Sequence, residues 1–163
     1  GTIESGRVEN NLVSGIDFLP TIADIAGAPL PDKKIDGVSL LPLLKSRQAE
    51  PPRKSFWYYY RRNNLEAVRN ERWKLVFPHK GRSYEGFEPG NDGQPGPKNE
   101  WAEVEAGLYD LRRDPGERYN LIEHYPEIVE ELEIIAAEAR RDLGDDLTDA
   151  PGENRREIGK LQN

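Results

Sequence analysis

Residues 65–82, Leu-Glu-Ala-Val-Arg-Asn-Glu-Arg-Trp-Lys-Leu-Val-Phe-Pro-His-Lys-Gly-Arg, leave the chain few options. Leu65, Ala67 and Val68 form one apolar arm. Trp73, Leu75 and Phe77 form a second, alternating with Lys74 and Val76. A period of two in aromatic and branched residues fits a pleat with one buried face, so the stretch predicts two antiparallel strands. Asn70 and Glu71 are expected to fill the turn, although Glu stands where a tight two-residue turn favours Gly. Pro78 has no N–H to give a ladder and stops the second strand. The chain then passes to His79, Lys80 and Arg82, so a rigid hairpin is expected to aim cations from its end.

The charge pattern strengthens that reading. Between residues 53 and 82 there are nine Lys or Arg (Arg53, Lys54, Arg61, Arg62, Arg69, Arg72, Lys74, Lys80, Arg82) against Glu66 and Glu71, a local charge of +7 in a chain whose net charge is −7. An acidic protein with one basic island suits a small anionic ligand and argues against nucleic acid as the main partner. The absence of Cys removes disulfides, thiolate metal sites and a Cys nucleophile, and leaves the redox compartment open. No apolar run reaches the length of a membrane span and no signal peptide is recognisable. With 36% hydrophobic and 33% charged residues, the core is thin for 163 residues and is expected to be completed by another segment or chain. The lack of Met and the start at Gly1 fit a processed or excised piece.

Taken in order, residues 17–27 predict a short helix: Asp17 as cap, Pro20 in the first turn, Gly27 as left-handed exit, with Phe18, Ile22 and Ile25 on one face. Residues 39–44 repeat the grammar, with Ser39 three places before Pro42, after the turn pair Asp36-Gly37. Pro51-Pro52 marks a break. Phe56-Trp57-Tyr58-Tyr59-Tyr60 reads as a strand with buried, hydrogen-bonded tyrosines, or as a sugar-stacking platform. Residues 85–100 are rich in Gly and Pro and read as a long loop, either a rim or lid for a site or an insertion without a role. Residues 107–111 predict another strand, ended by the turn signal Asp114-Pro115-Gly116. Residues 126–143 predict the longest helix: Pro126 in its first position, acids early, Arg140 and Arg141 late, Gly144 at its close. Its stripe of Ile128, Leu132, Ile135, Ala139 and Leu143 is expected to cover the sheet. After Gly144 the chain is polar, with only Leu147, Ile158 and Leu161 to pin it.

Four motifs in order, Val13-Ser14-Gly15-Ile16-Asp17-Phe18-Leu19-Pro20-Thr21, Asp36-Gly37-Val38-Ser39-Leu40-Leu41-Pro42-Leu43-Leu44, Ala67-Val68-Arg69 with Trp73-Lys74-Leu75, and Leu108-Tyr109-Asp110-Leu111 with Asp114-Pro115-Gly116-Glu117 and Asn120-Leu121, resemble the C-terminal part of the formylglycine-dependent arylsulfatase family. The resemblance covers residues 13–143. It implies an α+β subdomain, a small antiparallel sheet of about four strands packed on a long C-terminal helix and preceded by short helices, attached to an alkaline-phosphatase-like α/β catalytic domain. The expected division is a junction segment with two short helices belonging to the larger domain (1–50), the sheet subdomain with its helix (51–143), and a polar tail (144–163).

The resemblance further implies a parent enzyme that hydrolyses sulfate esters with a formylglycine nucleophile and a divalent metal, usually calcium. The formylglycine arises from Cys or Ser in a Cys/Ser-x-Pro-x-Arg motif. Ala49-Glu50-Pro51-Pro52-Arg53 has the spacing without a convertible side chain, and residues 1–11 hold only a divergent remnant of the family's Gly-rich segment with its catalytic Lys. This chain alone is therefore expected to be inactive, with no catalytic residue and no metal site; Asn91-Asp92 and Asp145-Asp146 read as solvated turns. Its expected contribution is packing and substrate selection: His79 and Arg82, with Lys80, complete a pocket for a sulfated small molecule or carbohydrate beside the N-terminal catalytic domain. His124 is expected to be merely solvated, and Arg61 and Arg62 paired or solvated. Periplasmic or extracellular location is implied by resemblance alone. A stand-alone module binding anionic carbohydrate, and a purely structural cap, are the alternatives.

Overall fold

The two arms of residues 65–82 pair as expected in the computed structural model, which describes residues 3–156. Strand β2 (Asn64–Arg69) runs antiparallel to β3 (Trp73–Val76) with Ala67 opposite Val76, Val68 opposite Leu75 and Arg69 opposite Lys74. That register makes Glu71 and Arg72 the turn residues, one place later than Asn70 and Glu71. Neither has a positive φ. Instead Asn70 closes the hairpin: its N–H donates to the Trp73 carbonyl, and its Oδ1 accepts from the N–H groups of Arg72 (2.9 Å) and Trp73 (2.7 Å). A side-chain cap of this kind removes the need for Gly.

The sheet has the order β1-β2-β3-β6, with β1 at Phe56–Tyr60 and β6 at Gly107–Asp110. Trp73, Leu75 and Phe77 join Leu65, Val68 and Leu108 in one core with Leu132, Ala136 and Ala139 of helix α3 (Pro126–Leu143). Within the expected helical stripe, Leu132 and Ala139 are fully buried and Ile128 and Ile135 partly so; Ala136, one turn after Leu132, completes it. Trp57 and Tyr59 of β1 pack against the same core, and the Tyr59 hydroxyl lies 3.0 Å from the Ala139 carbonyl and 2.8 Å from that of Gly144. The aromatic run is thus a half-buried strand packed on the core, with the ring of Tyr60 exposed.

The cationic segment after Pro78 is itself a strand and not a free hairpin end. Strand β4 (His79–Ser83) pairs antiparallel with β5 (Asn99–Val104) as a separate two-stranded ribbon, and the Gly- and Pro-rich residues connect the two. Pro78 separates β3 from β4. It ends one ladder without preventing the next.

Chain contacts divide the molecule into two units, Gly1–Phe56 and Trp57–Asn163. The segment after α3, expected as a polar tail, belongs to the second unit as far as it is described. Asp145 is fully buried: its carboxylate accepts from the N–H groups of Leu65 (3.1 Å) and Leu147 (3.0 Å), from Arg140 Nε (3.1 Å) and from the Thr148 hydroxyl (3.2 Å). It is no solvated turn residue. Gly144 is required there, since a Cβ would stand 2.5 Å from the Ala150 carbonyl oxygen. Leu147 is partly exposed, and Ile158 and Leu161 lie outside the described residues.

In the first unit, helices α1 (Phe18–Ala26) and α2 (Leu41–Lys45) appear where expected. Gly27 takes the left-handed exit from α1. Asp17 stands at the N-cap position of α1, as expected, but its side chain makes no cap hydrogen bond to that helix. Its buried carboxylate instead accepts from the N–H groups of Ser14 and Val38 and forms a two-pronged ion pair with Arg53, while the Thr21 hydroxyl donates to the Asp17 carbonyl and accepts from the Leu40 N–H. Ser39 donates to Asp24 and accepts from the Leu41 N–H. A Cβ at Gly37 would meet the Ile16 carbonyl oxygen. The two short sequence motifs are therefore the two halves of one knot.

Candidate functional site

The basic island of the sequence does not survive as a patch. Arg53 is held by Asp17; Arg72 forks onto Asp110 (3.1 and 2.6 Å); Lys74 meets both oxygens of Glu117 (2.7 and 2.9 Å) and lies over the Tyr58 ring. The Arg72 fork holds the Asp110 carboxyl below its usual value, against the opposing pull of burial. Acids distant in sequence thus neutralise much of the +7 segment, which composition alone does not reveal.

Of the remaining cations, Lys80 and Arg82 lie on the β4–β5 ribbon and Arg61 reaches it, while Arg69 turns to the Asn70 and Glu71 carbonyls. Gly81 pairs with Ala102 and Ser83 with Asn99, so one residue of β4, Arg82, stands opposite two of β5, Glu100 and Trp101. This is a β-bulge, which leaves a peptide group outside the ladder and re-aims side chains. Arg61 fills the gap by donating to the Glu100 carbonyl (2.5 Å), and its guanidinium lies 4.2 Å from the centre of the Trp101 ring. The Glu100 carboxylate accepts from Arg82 Nε (3.1 Å) and Lys98 Nζ (2.9 Å), with Arg61 at 3.9 Å. Lys98 first and then Arg82 lower the Glu100 carboxyl below its usual range. Three cations therefore share one carboxylate. Trp101 is 66% exposed beside them. The Arg82 guanidinium is raised above its usual value first by Glu100 and then by Tyr84.

Arg61 reaches this place from a costly turn. Arg61 and Arg62 link β1 to β2 with φ of +41° and +57°, a left-handed conformation that non-Gly residues seldom adopt.

Of the three residues singled out for substrate binding, the fold brings two to one face. Lys80 and Arg82 are exposed on the same side of β4, and Lys80 pairs with Glu103 at 3.0 Å. His79 points to the other face and its side chain is only 8% exposed. Its Nδ1–H donates to the Phe77 carbonyl (2.7 Å), and its Nε2 lies 3.2 Å from Glu66 Oε2. Strand alternation separates His79 from Lys80 and Arg82, whereas a loop would have let all three converge. Arg61 and Trp101 were not selected from the sequence as ligand-binding residues. Their signal was present in the alternation Asn99-Glu100-Trp101-Ala102-Glu103-Val104, a strand pattern whose exposed positions include Trp.

The Ala49–Arg53 segment does not fit a formylglycine site: Ala49 offers no atom to oxidise and Arg53 is committed to Asp17. Among the described residues no group of three or more His, Asp or Glu is placed to hold a metal ion. No helix among them is long and apolar enough to cross a membrane.

The model of the family described as the C-terminal region of aryl-sulfatase matches residues 51–156. The chain belongs to this family. A second model, for the C-terminal region of N-sulphoglucosamine sulphohydrolase, matches residues 1–94. Among curated relatives, human arylsulfatase A is 35% identical over 123 residues, which are 71% of this chain and 23% of that protein. Mouse N-acetylgalactosamine-6-sulfatase is 34% identical over 143 residues (81% and 26%), and mouse steryl-sulfatase 36% over 155 residues (85% and 24%). The chain spans about a quarter of the length of these sulfatases. A structure from work on the metabolism of multiple glycosaminoglycans by Bacteroides thetaiotaomicron shares the fold, with a TM-score of 0.58 at 20% identity over 93% of this chain and 32% of that one. So does a protein solved with its substrate D-glucosamine-2-N,6-O-disulfate, with a TM-score of 0.55 at 24% identity over 94% and 28%. The α+β C-terminal subdomain expected from the four motifs is the fold observed.

Proposed function

We propose that this chain is the C-terminal region of a sulfuric ester hydrolase acting on an aryl sulfate or a sulfated carbohydrate, and that it contributes packing and part of the substrate pocket. The family match across residues 51–156 carries this reading. In this reading the formylglycine nucleophile and the calcium ion belong to the N-terminal catalytic domain of the same parent; Ala49–Arg53 has no side chain convertible to formylglycine. The exposed apolar face of α1, with Phe18, Leu19, Ile22 and Ile25, supports a partner domain: four large apolar side chains on one short helix are costly to leave in water. Lys80 and Arg82 face the substrate and take its sulfate, Arg82 with the fork that suits a tetrahedral oxyanion. His79, on the opposite face of β4, does not line that pocket; it supports it by tying the ribbon to Glu66 of β2.

The test compares the full-length parent with this chain in hydrolysis of 4-nitrophenyl sulfate at several calcium concentrations. The parent is expected to turn over, to lose activity when the Cys or Ser of its Cys/Ser-x-Pro-x-Arg motif is replaced by Ala, and to show a raised KM in Arg82→Ala. This chain alone is expected to be inactive. A parent that cleaves phosphate diesters and not sulfate esters would overturn the reading, as would turnover by the purified chain.

A further inference from the structure

We propose that the β4–β5 bulge is a binding site for an anionic oligosaccharide, a sugar ring lying on the exposed ring of Trp101 and its sulfate or carboxylate held by Arg82 and Lys98. The proposal deepens the reading of the ribbon as substrate-facing and shares Arg82 with it, but it requires binding and no turnover.

Four observations converge on it. Trp101 is the one tryptophan of three with an exposed ring, since Trp73 is buried and Trp57 packs against the core. One face of that ring carries the Arg61 guanidinium at 4.2 Å, and with 66% of the residue exposed the ring still presents a broad surface to solvent. The aliphatic C–H face of a sugar needs a flat, immobilised aromatic surface of this kind. Next to the ring, Arg82, Lys98 and Arg61 surround a single carboxylate, Glu100, so the cluster carries an excess of two positive charges. Glu100 takes only Nε of Arg82, so the terminal nitrogens of that guanidinium are not committed to it. A ring platform and an uncompensated cation cluster on adjacent residues match a ligand that carries a ring and an anion together. Free inorganic sulfate would use only the cations, and an uncharged glycan only the ring.

The site is also built at a cost. Placing Glu100 and Trp101 together against Arg82 takes a bulge, and bringing Arg61 over the ring takes two consecutive left-handed non-Gly residues. Backbone strain of this kind persists where surrounding contacts enforce it, and it clusters at ligand sites.

The experiment uses the full 163-residue chain labelled with 15N and follows its three indole N–H signals, that of Trp101 being assigned by its loss in Trp101→Ala. The probes are a chondroitin 6-sulfate tetrasaccharide, a hyaluronan tetrasaccharide carrying carboxylates only, cellotetraose and sodium sulfate. The expected result is a saturable shift of the Trp101 signal with the sulfated tetrasaccharide, weakened by added salt. By titration calorimetry, Trp101→Ala should weaken the Kd roughly tenfold, the scale of one well-placed aromatic contact, and Lys98→Ala several-fold. Equal binding of hyaluronan would identify carboxylate as a sufficient anion and keep the proposal. Cellotetraose binding as tightly as the sulfated probe, sodium sulfate reproducing the full effect, or Trp101→Ala binding like the wild type would each overturn it. Because Trp101 is exposed, its truncation leaves the core intact, and far-ultraviolet circular dichroism verifies this. Failure of the sulfatase reading would appear instead as absence of hydrolysis by the parent.

Discussion

Replacing Asp145 by Ala tests whether the segment after α3 is part of the fold. The carboxylate is the common acceptor for Leu65, Leu147, Thr148 and Arg140. Truncation strands the Leu65 N–H at a residue with no solvent exposure, a loss of about 1–3 kcal/mol. Arg140 loses a charge-assisted partner but keeps Glu133 at 3.2 Å and its stack on Phe77 at 4.5 Å, so its share is about 1–2 kcal/mol. Together these give about 2–5 kcal/mol, overlapping the usual scale for breaking a buried pair from one side. Domains of this size are stable by only about 5–15 kcal/mol, so the variant should be close to unfolding at physiological temperature. Asp145→Asn keeps an acceptor for Leu65 and loses the charge; about 2 kcal/mol is expected. Urea titration read by tryptophan fluorescence suits the question, because all three tryptophans lie in the second unit. A loss under about 1 kcal/mol in Asp145→Ala would refute the reasoning and return residues 144–156 to the status of a loose tail.

Three further outcomes are expected. Burial first and the Asp145 carboxylate second push the Tyr59 phenol up to about 12. A raised folded value means that stability is complete below the ordinary value of 10.0 and falls as pH rises from there to about 12, so alkaline unfolding should set in later for Tyr59→Phe, while that variant loses about 1 kcal/mol at neutral pH. For Asp17, burial pulls the carboxyl up but Arg53 and the N–H groups of Val38 and Ser14 outweigh it and hold it low; its stabilisation is present above the ordinary 3.8 and lost as pH falls below that, and carbon NMR that finds Asp17 titrating above 3.8 contradicts this. Arg62→Gly should raise stability by about 1 kcal/mol by relieving the φ of +57°, whereas Arg62→Val should lower it; equal urea midpoints would discount strain in the β1–β2 turn.

The parts of the fold that follow from period and punctuation were readable in the sequence. Trp73, Leu75 and Phe77 alternate and face the helix, Pro126 opens α3, and Gly144 closes it. The parts set by distant partners were not. Asp17 stands at the cap position that its local signal predicted, but beyond the nearby Ser14 N–H its carboxylate is held by Val38 and Arg53, which only the fold brings to it. Asp145 looked solvated because only the folded chain brings Leu65 to it. The +7 island suggested one cationic surface, yet Asp17, Asp110 and Glu117 divide it into separate pairs. His79, Lys80 and Arg82 were grouped by adjacency, and a strand sends adjacent side chains to opposite faces. The ribbon itself was missed because Pro78 reads as an end, and because the Gly- and Pro-rich stretch drew attention away from the strand that follows it.

Val76 and Gly107 face each other at the ends of β3 and β6. Phe77 still bonds to Glu66 of β2 and packs in the core, so the excursion proper, residues 78–106, leaves the sheet at one point and re-enters it beside that point. Removing the ribbon would leave two neighbouring antiparallel strands whose ends already meet, ready for a short hairpin. Lengthening it would raise the closure entropy only with the logarithm of its length. The ribbon is in this sense a cassette. Its contents can be exchanged by an engineer with no shift of register in the sheet beneath.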